Sequence, residues 1–283
     1  MFEYSNLSKV TLAELVAVFN QCFKDYFIVI KMDEELLRRK ISLEDIDLQY
    51  SIGGFYEKKL VAFVLHGKRV DILYNAGTGV LPQFRGNKIT YQMYQYFFSL
   101  ELCKHISHIE LEVIDKNSVA INNYLNIGFN QTDTLHCFSL TLNEHFGIRN
   151  VIVSESKVLT HLNSEQYFDT IPLWQNNILS KAAAFDYLKF IIATKNDKIV
   201  SYALFNTLNN RLLQIGTHFD YRRQKFAGSL LHFIAQSYDK NISIINVSET
   251  NTSLFRFLKK QNATCTLTQY QMIKKINHER NNY

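Results

Sequence analysis

Gly77-Thr78-Gly79-Val80-Leu81-Pro82-Gln83-Phe84-Arg85-Gly86-Asn87-Lys88-Ile89-Thr90 is the stretch on which the reading of the fold turns. Its first residues end a β-rich run, and its middle is a tight polar turn. Its last residues open an amphipathic segment with Ile89, Met93, Tyr96, Phe97 and Leu100 on one face. A strand that passes at once into a helix brings unpaired helix amides and the positive end of the helix dipole to the strand tip. That arrangement suits a pyrophosphate. Arg85 and Lys88 add charge there, the first as a planar fork and the second as a point charge.

Upstream, Thr11-Leu12-Ala13-Glu14 is a capping-box pattern, and Leu12, Leu15, Val16, Phe19 and Phe23 recur at helical spacing, so a helix is predicted from 11 to about 24. A second helix starts near Asp33. The period then changes: 49–56, 60–66 and 70–80 read as an antiparallel meander with turns at Glu57-Lys58-Lys59 and Gly67-Lys68-Arg69. Downstream follow a helix over about 87–103, a strand at 108–114, a helix near 118–126, and strands at 129–131 and 134–140. This order predicts an α+β domain, a mixed and mainly antiparallel sheet flanked by helices.

Beyond a connector at 141–150 the order resumes. Strands are expected at 187–194, 199–207 and 211–219, a helix at about 223–238, a strand at 242–247, a helix at 252–260 and a strand at 264–273. Arg85 recurs as Arg222, 137 positions on, and Asn117 as Asn251, 134 positions on, each at the same point of its run. The chain is therefore read as two tandem copies of one domain, 1–142 and 150–283, the second diverged and shorter at its front.

Composition agrees with that division and excludes other classes. The chain has 283 residues, room for two units of roughly 130–150. A 47% hydrophobic content excludes disorder, and the apolar runs Tyr26–Ile30 and Leu60–Leu65 fall far short of a membrane span. Cys22, Cys103, Cys137 and Cys265 lack paired spacing and are expected to be ordinary buried thiols, with no metal site. No leader is visible, so a cytoplasmic location is expected. The net charge of +5 is scattered apart from the tail at Lys274–Arg280, so no nucleic-acid role is expected.

The motifs resemble the GCN5-related N-acetyltransferase superfamily. Val80, Pro82, Phe84, Arg85 and Gly86 match its acetyl-CoA loop, with Lys88 and Thr90 standing where that pattern has small residues. Its second motif is matched by Asn117, Ala120, Tyr124, Gly128 and Phe129. Tyr221-Arg222-Arg223-Gln224-Lys225-Phe226-Ala227 is similar to the same loop, again with a lysine at the first glycine position. In that second copy Leu258 falls where Tyr124 falls in the first. Trp174-Gln175-Asn176 is similar to a segment of bacterial tandem members.

The resemblance implies transfer of acetyl from acetyl-CoA to an amine of a small molecule or peptide. It implies that Thr78, Gly79, Val80, Arg85, Gly86, Asn87, Lys88, Ile89, Thr90 and Asn117 bind the cosubstrate. A backbone amide near Val80 would polarise the thioester carbonyl, and Tyr124 would protonate the departing thiolate. Glu110 and Glu112 share one strand face, with Asp71 on the strand before, and are the carboxylates from which a general base would come, unless an ordered water takes the amine's proton. His66, His108, His136 and His218 lie in predicted strands without an evident partner. Two alternatives stay open: chemistry in the second copy, where Ala227 fits the loop better than Thr90, or a degenerate module that binds CoA or a protein without catalysis.

Overall fold

The computed structural model describes residues 1–28, 30–142, 151–156, 164–178 and 185–276. Its first half runs β1 (Phe2–Asn6), α1 (Leu12–Cys22), α2 (Glu34–Glu44), β2 (Ile52–Tyr56), β3 (Lys59–Arg69), β4 (Ile72–Val80), α3 (Ile89–Ser99), β5 (His108–Ile114), α4 (Ser118–Ile127) and β6 (Asn130–Thr141). The second half runs β7 (Ile152–Glu155), β8 (Leu188–Lys195), β9 (Lys198–Asn206), β10 (Arg211–Thr217), α5 (Phe226–Ser237), β11 (Asn241–Ser248), α6 (Thr252–Lys260) and β12 (Thr264–Lys275).

Local chemistry explains most of these boundaries. Thr11 accepts a hydrogen bond from the Glu14 amide and Asp33 from the Leu36 amide, each satisfying a first-turn N–H. α3 is shorter than its apolar spacing suggests, because Leu100 turns extended and a 3₁₀ turn at Glu101–His105 follows. β6 is one strand where two were expected. β1 and β7 are additional strands, too short and too polar to show a period. Most of the expected connector, from 143 to 150, lies outside the described residues.

The chain forms two compact units. One comprises Met1–Thr132 and the residues from Tyr270 on; the other is Asp133–Gln269. The expected domains were 1–142 and 150–283, whereas these boundaries fall inside β6 and β12. In the first unit β1, β2, β3 and β4 pair antiparallel in sequence order, β5 lies parallel beside β4, and the end of β12 follows β5. In the second unit β7, β8, β9 and β10 pair antiparallel, β11 lies parallel beside β10, and β6 pairs antiparallel with β11.

Both faces of the first sheet are covered. Ala62 and Val64 pack towards α3 and α4, while the alternate residues Val61, Phe63 and Leu65 pack towards α1 and α2. Cys22, Cys103 and Cys137 are buried free thiols; Cys265, expected to be buried, is exposed at the start of β12. Among the described residues no helix is long and apolar enough to cross a membrane. Met272, from the end of β12, is 1% exposed in the cluster that holds Tyr94, Phe97, Ile109 and Leu111. Met272→Ala is expected to destabilise the first unit by about 2–5 kcal/mol, the usual range for emptying a buried methionine site, measured by urea unfolding.

Candidate active site

β4 and β5 pair over only three positions, Ile72 with His108, Leu73 with Ile109 and Tyr74 with Glu110. Beyond them the two strands part. At the same place β4 carries a bulge. His66 on β3 faces Asn75 and Leu65 faces Gly77, so Ala76 is an inserted residue. The insertion reverses the alternation of side chains along the strand. Ala76 packs with the α1–α2 cluster, Val80 packs with the α3–α4 cluster, and Asn75 and Thr78 come to hydrogen-bond each other although they are three residues apart.

The loop after β4 leads into the N-terminus of α3. Lys88 is the N-cap and sits in the left-handed region at φ 55°, with no side-chain cap on the helix amides. The lysine therefore adopts the conformation that a glycine would adopt more readily, at a cost of about 1–2 kcal/mol. Lys88 is exposed, whereas Ile89 and Thr90 are buried. Gly86 (φ +83°) is exposed. Asn87 turns its amide group back onto the Phe84 and Arg85 carbonyls. Arg85 donates to the Val80 carbonyl (3.2 Å) and the Cys22 carbonyl (2.9 Å), so its guanidinium ties the loop to the end of α1. Gly79 permits that approach, because a Cβ there would lie 2.7 Å from the Phe63 ring and 2.9 Å from Cys22 Cβ.

Tyr124 lies on α4, 8% exposed, with its hydroxyl 3.3 Å from Asn75 Nδ2. Burial raises the pKa of its phenol, and hydrogen bonds from Thr78 and Asn75 act in the opposite direction. Asn75 Nδ2 also lies 2.8 Å from Thr78 Oγ1 and 3.0 Å from the Tyr94 hydroxyl, which is 3.4 Å from His66 Nε2. Burial lowers the His66 pKa to about 4, so the ring is neutral at physiological pH. Asn117 caps α4 through the Ala120 amide (3.1 Å), and its side chain also bonds the Tyr26 hydroxyl.

On the opposite face of β5, Glu112 accepts a hydrogen bond from the Tyr74 hydroxyl at 2.5 Å. Burial, then repulsion from Glu110 and Glu44, pushes the Glu112 pKa up to about 8, against the lowering effects of Tyr74 and Lys40. Asp71 is not near this group in the strand order. It lies in the turn between β3 and β4, at the end remote from Val80, where its carbonyl accepts from Ser107.

The second unit repeats the backbone and lacks the polar cluster. Lys225 caps α5 at φ 65°, again without a side-chain cap, and Arg222 donates to the carbonyl of Thr217 as Arg85 does to that of Val80. β10 is bulged at Leu213, with Leu212 opposite Phe205 as Asn75 is opposite His66. Leu212, Ile215, Leu231, Leu258 and Phe205 thus stand where Asn75, Thr78, Tyr94, Tyr124 and His66 stand, and all five join the apolar core. Where β10 and β11 part, the segment at Trp174 spans them: Gln214 Nε2 donates to the Asn176 carbonyl (2.6 Å) and Asn176 Nδ2 to the Ile245 carbonyl (2.9 Å).

No protein-family model matches the sequence, and no curated protein matches it. Solved structures do match. A GCN5-related N-acetyltransferase from Sphaerobacter thermophilus is 14% identical, with 98% of this chain and 96% of that one covered at a TM-score of 0.73. A tandem protein of the same kind from the clavulanic acid biosynthesis pathway is 9% identical, with 99% and 100% covered at 0.73. A third, from Anabaena variabilis, is 17% identical, with 98% and 73% covered at 0.62. The fold is that of the GCN5-related N-acetyltransferases, in tandem.

Within this fold, Thr78, Gly79 and Val80 lie along the β4 edge and Arg85–Thr90 form the loop into α3, while Asn117 caps α4, the helix that carries Tyr124. Residue spacing did not single out Asn75, Tyr94 or Tyr26, and it placed His66 without a partner. Among the described residues no group of three His, Cys, Asp or Glu could hold a metal. Because the folded Glu112 pKa lies above its unfolded value, its contribution to stability is present at low pH and is lost as pH rises through about 8. Glu112→Gln is therefore expected to leave the melting temperature nearly unchanged at pH 4 and to raise it progressively between about pH 4.5 and 8, with the full gain present at pH 9, in paired thermal scans.

Proposed function

We propose that the chain is an acetyl-CoA-dependent N-acetyltransferase with its chemistry in the first unit. The observation that carries this reading is the Tyr124 hydroxyl, buried in a polar cluster beside the point where β4 and β5 part, against Leu258 at the same place in the second unit. The loop fits the cosubstrate. An uncapped helix start, entered through a left-handed Lys88, offers amides and the exposed Lys88 ammonium to phosphate groups, and β4 beyond Tyr74 offers a backbone edge. Bound acetyl-CoA supplies an activated thioester whose acetyl group an amine can take.

The residues then divide the work. Amides from Gly86 to Thr90 hold phosphate, with Lys88 adding charge. Arg85 and Asn87 serve by fixing the loop they belong to. The backbone of Thr78–Val80 aligns the pantetheine arm, and an amide near Val80 faces the oxygen on which charge develops. Tyr124 gives the proton the leaving sulfur needs. On the other face, Glu112 takes the proton from the amine. A carboxylate with its pKa near 8 is a far stronger base than an exposed one, and Glu110 and Glu44 beside it favour a cationic acceptor, either a small amine or a peptide terminus. The second unit, with its strand gap spanned by Asn176, serves as a structural copy. The lysines at the loop glycine positions do not favour a purely non-catalytic module, since both take the left-handed conformation the loop requires.

Acetyl-CoA at 100 times its dissociation constant is expected to stabilise the protein by about 2.7 kcal/mol, and a titration without any shift would refute the reading. Against a panel of amino acids, polyamines, aminoglycosides and peptide N-termini, Tyr124→Phe is expected to lower kcat about 100-fold while acetyl-CoA still binds. The parent's kcat/KM is expected to climb with pH towards about 8, as Glu112 loses its proton.

A further inference from the structure

Five polar side chains meet inside the first unit at positions where the second unit packs apolar ones on the same backbone. Buried hydroxyls and amides contribute little net stability even when paired, and they are costly when a partner is lost. The fold does not require the cluster, since Leu212, Ile215, Leu231, Leu258 and Phe205 fill the equivalent space. Its retention beside Tyr124 points to a chemical role.

Donor and acceptor roles follow from two unambiguous ends. The Gly77 N–H can only donate, so the atom facing it at 3.0 Å is Asn75 Oδ1, and the NH₂ group faces the hydroxyls. The Tyr50 carbonyl can only accept, so His66 carries its proton on Nδ1 (2.8 Å) and presents Nε2 as an acceptor. Tyr94 then donates towards Nε2 and accepts an N–H from Asn75. The two N–H bonds of Asn75 face three oxygens, Thr78 Oγ1 at 2.8 Å, the Tyr94 hydroxyl at 3.0 Å and the Tyr124 hydroxyl at 3.3 Å, so one N–H is shared between neighbours, and towards each of them Nδ2 can only donate. The Tyr124 oxygen thus faces the Asn75 donor, beside the Thr78 hydroxyl that also hydrogen-bonds it, and its own proton is left for another partner.

We propose that Asn75 is the positioning residue of this site: its amide fixes the direction of the Tyr124 hydroxyl proton, and the buried chain from His66 through Tyr94 fixes the direction of the Asn75 amide. The inference rests on the acetyltransferase reading, in which that proton goes to the leaving sulfur. Asn75→Asp keeps the size of the side chain and the acceptor for Gly77, but replaces the donor facing Tyr124 with an acceptor that captures its proton. Asn75→Leu introduces the residue that the second unit carries at Leu212 and removes both the donor to the hydroxyls and the acceptor for Gly77.

The test pairs kinetics with a spectroscopic measurement that needs no turnover. With acetyl-CoA and the amine panel, both variants are expected to lose roughly tenfold or more in kcat, as for a misaligned acid, with KM for acetyl-CoA within about twofold of the parent. In Asn75→Leu the alkaline limb of the kcat profile moves to higher pH, since the donor that eases Tyr124 ionisation is gone. In protein labelled with ¹³Cζ-tyrosine, the Tyr124 and Tyr94 signals, assigned with Tyr124→Phe and Tyr94→Phe, are expected to shift in both Asn75 variants. A parent that neither binds nor cleaves acetyl-CoA would overturn the acetyltransferase reading and this inference with it. A parent that turns over, with Asn75 variants that keep kcat or leave the Tyr124 signal unmoved, would overturn this inference alone.

Discussion

One inserted residue in β4 governs the arrangement on which the site depends. In a regular strand, Asn75 and Thr78 would face opposite sides of the sheet. Ala76 absorbs one step of the alternation, and the two side chains meet. The bulge lies where the three-residue pairing with β5 ends. A local irregularity thereby gathers polar groups on one face and leaves the strand's other edge open beyond Tyr74. The second unit has the same bulge at Leu213, with Leu212, Ile215, Leu231, Leu258 and Phe205 in place of the five clustered polar side chains. Backbone geometry and side-chain chemistry have diverged separately in the two copies.

The loop into α3 shows a related economy. Of the six α-helices among the described residues, α1, α2, α4 and α6 begin at Thr11, Asp33, Asn117 and Asn251, whose side chains cap a free amide. The two that begin without such a cap, α3 and α5, start at Lys88 and Lys225 in the left-handed region. In the acetyltransferase proposed above, a side chain folded back onto the α3 amides would occupy the place a phosphate needs. A lysine pays for the conformation in backbone strain and places an ammonium at the same point.

Much of this was legible in the sequence, and the parts that were not share a physical cause. Helices with a capping residue and an apolar stripe, such as those starting after Thr11 and Asn117, were evident from local spacing. So was the repeat, because Arg85 and Arg222 tie the loop down in the same way. Asn75 escaped notice because its importance arises from a reversal of alternation that no residue type announces. His66 was seen, but its partners Tyr50 and Tyr94 lie 16 and 28 positions away and are joined to it only by packing. The ends of β6 and β12 were assigned by continuity along the chain, whereas the units recruit them by pairing across more than a hundred residues.

β12 bears on how the protein is made. The first unit includes residues from Tyr270 on, so Met272 reaches its place beside Ile109 only after the whole of the second unit, 133–269, has been synthesised. Until then the apolar surface meant for Met272 stays uncovered and the flank of β5 has no neighbour, a condition that invites wrong strand pairing. Synthesis order and folding order therefore run against each other: the half translated first is the half completed last. A gene fragment ending after β6 would encode every residue proposed for catalysis and still lack the strand that closes the sheet around them.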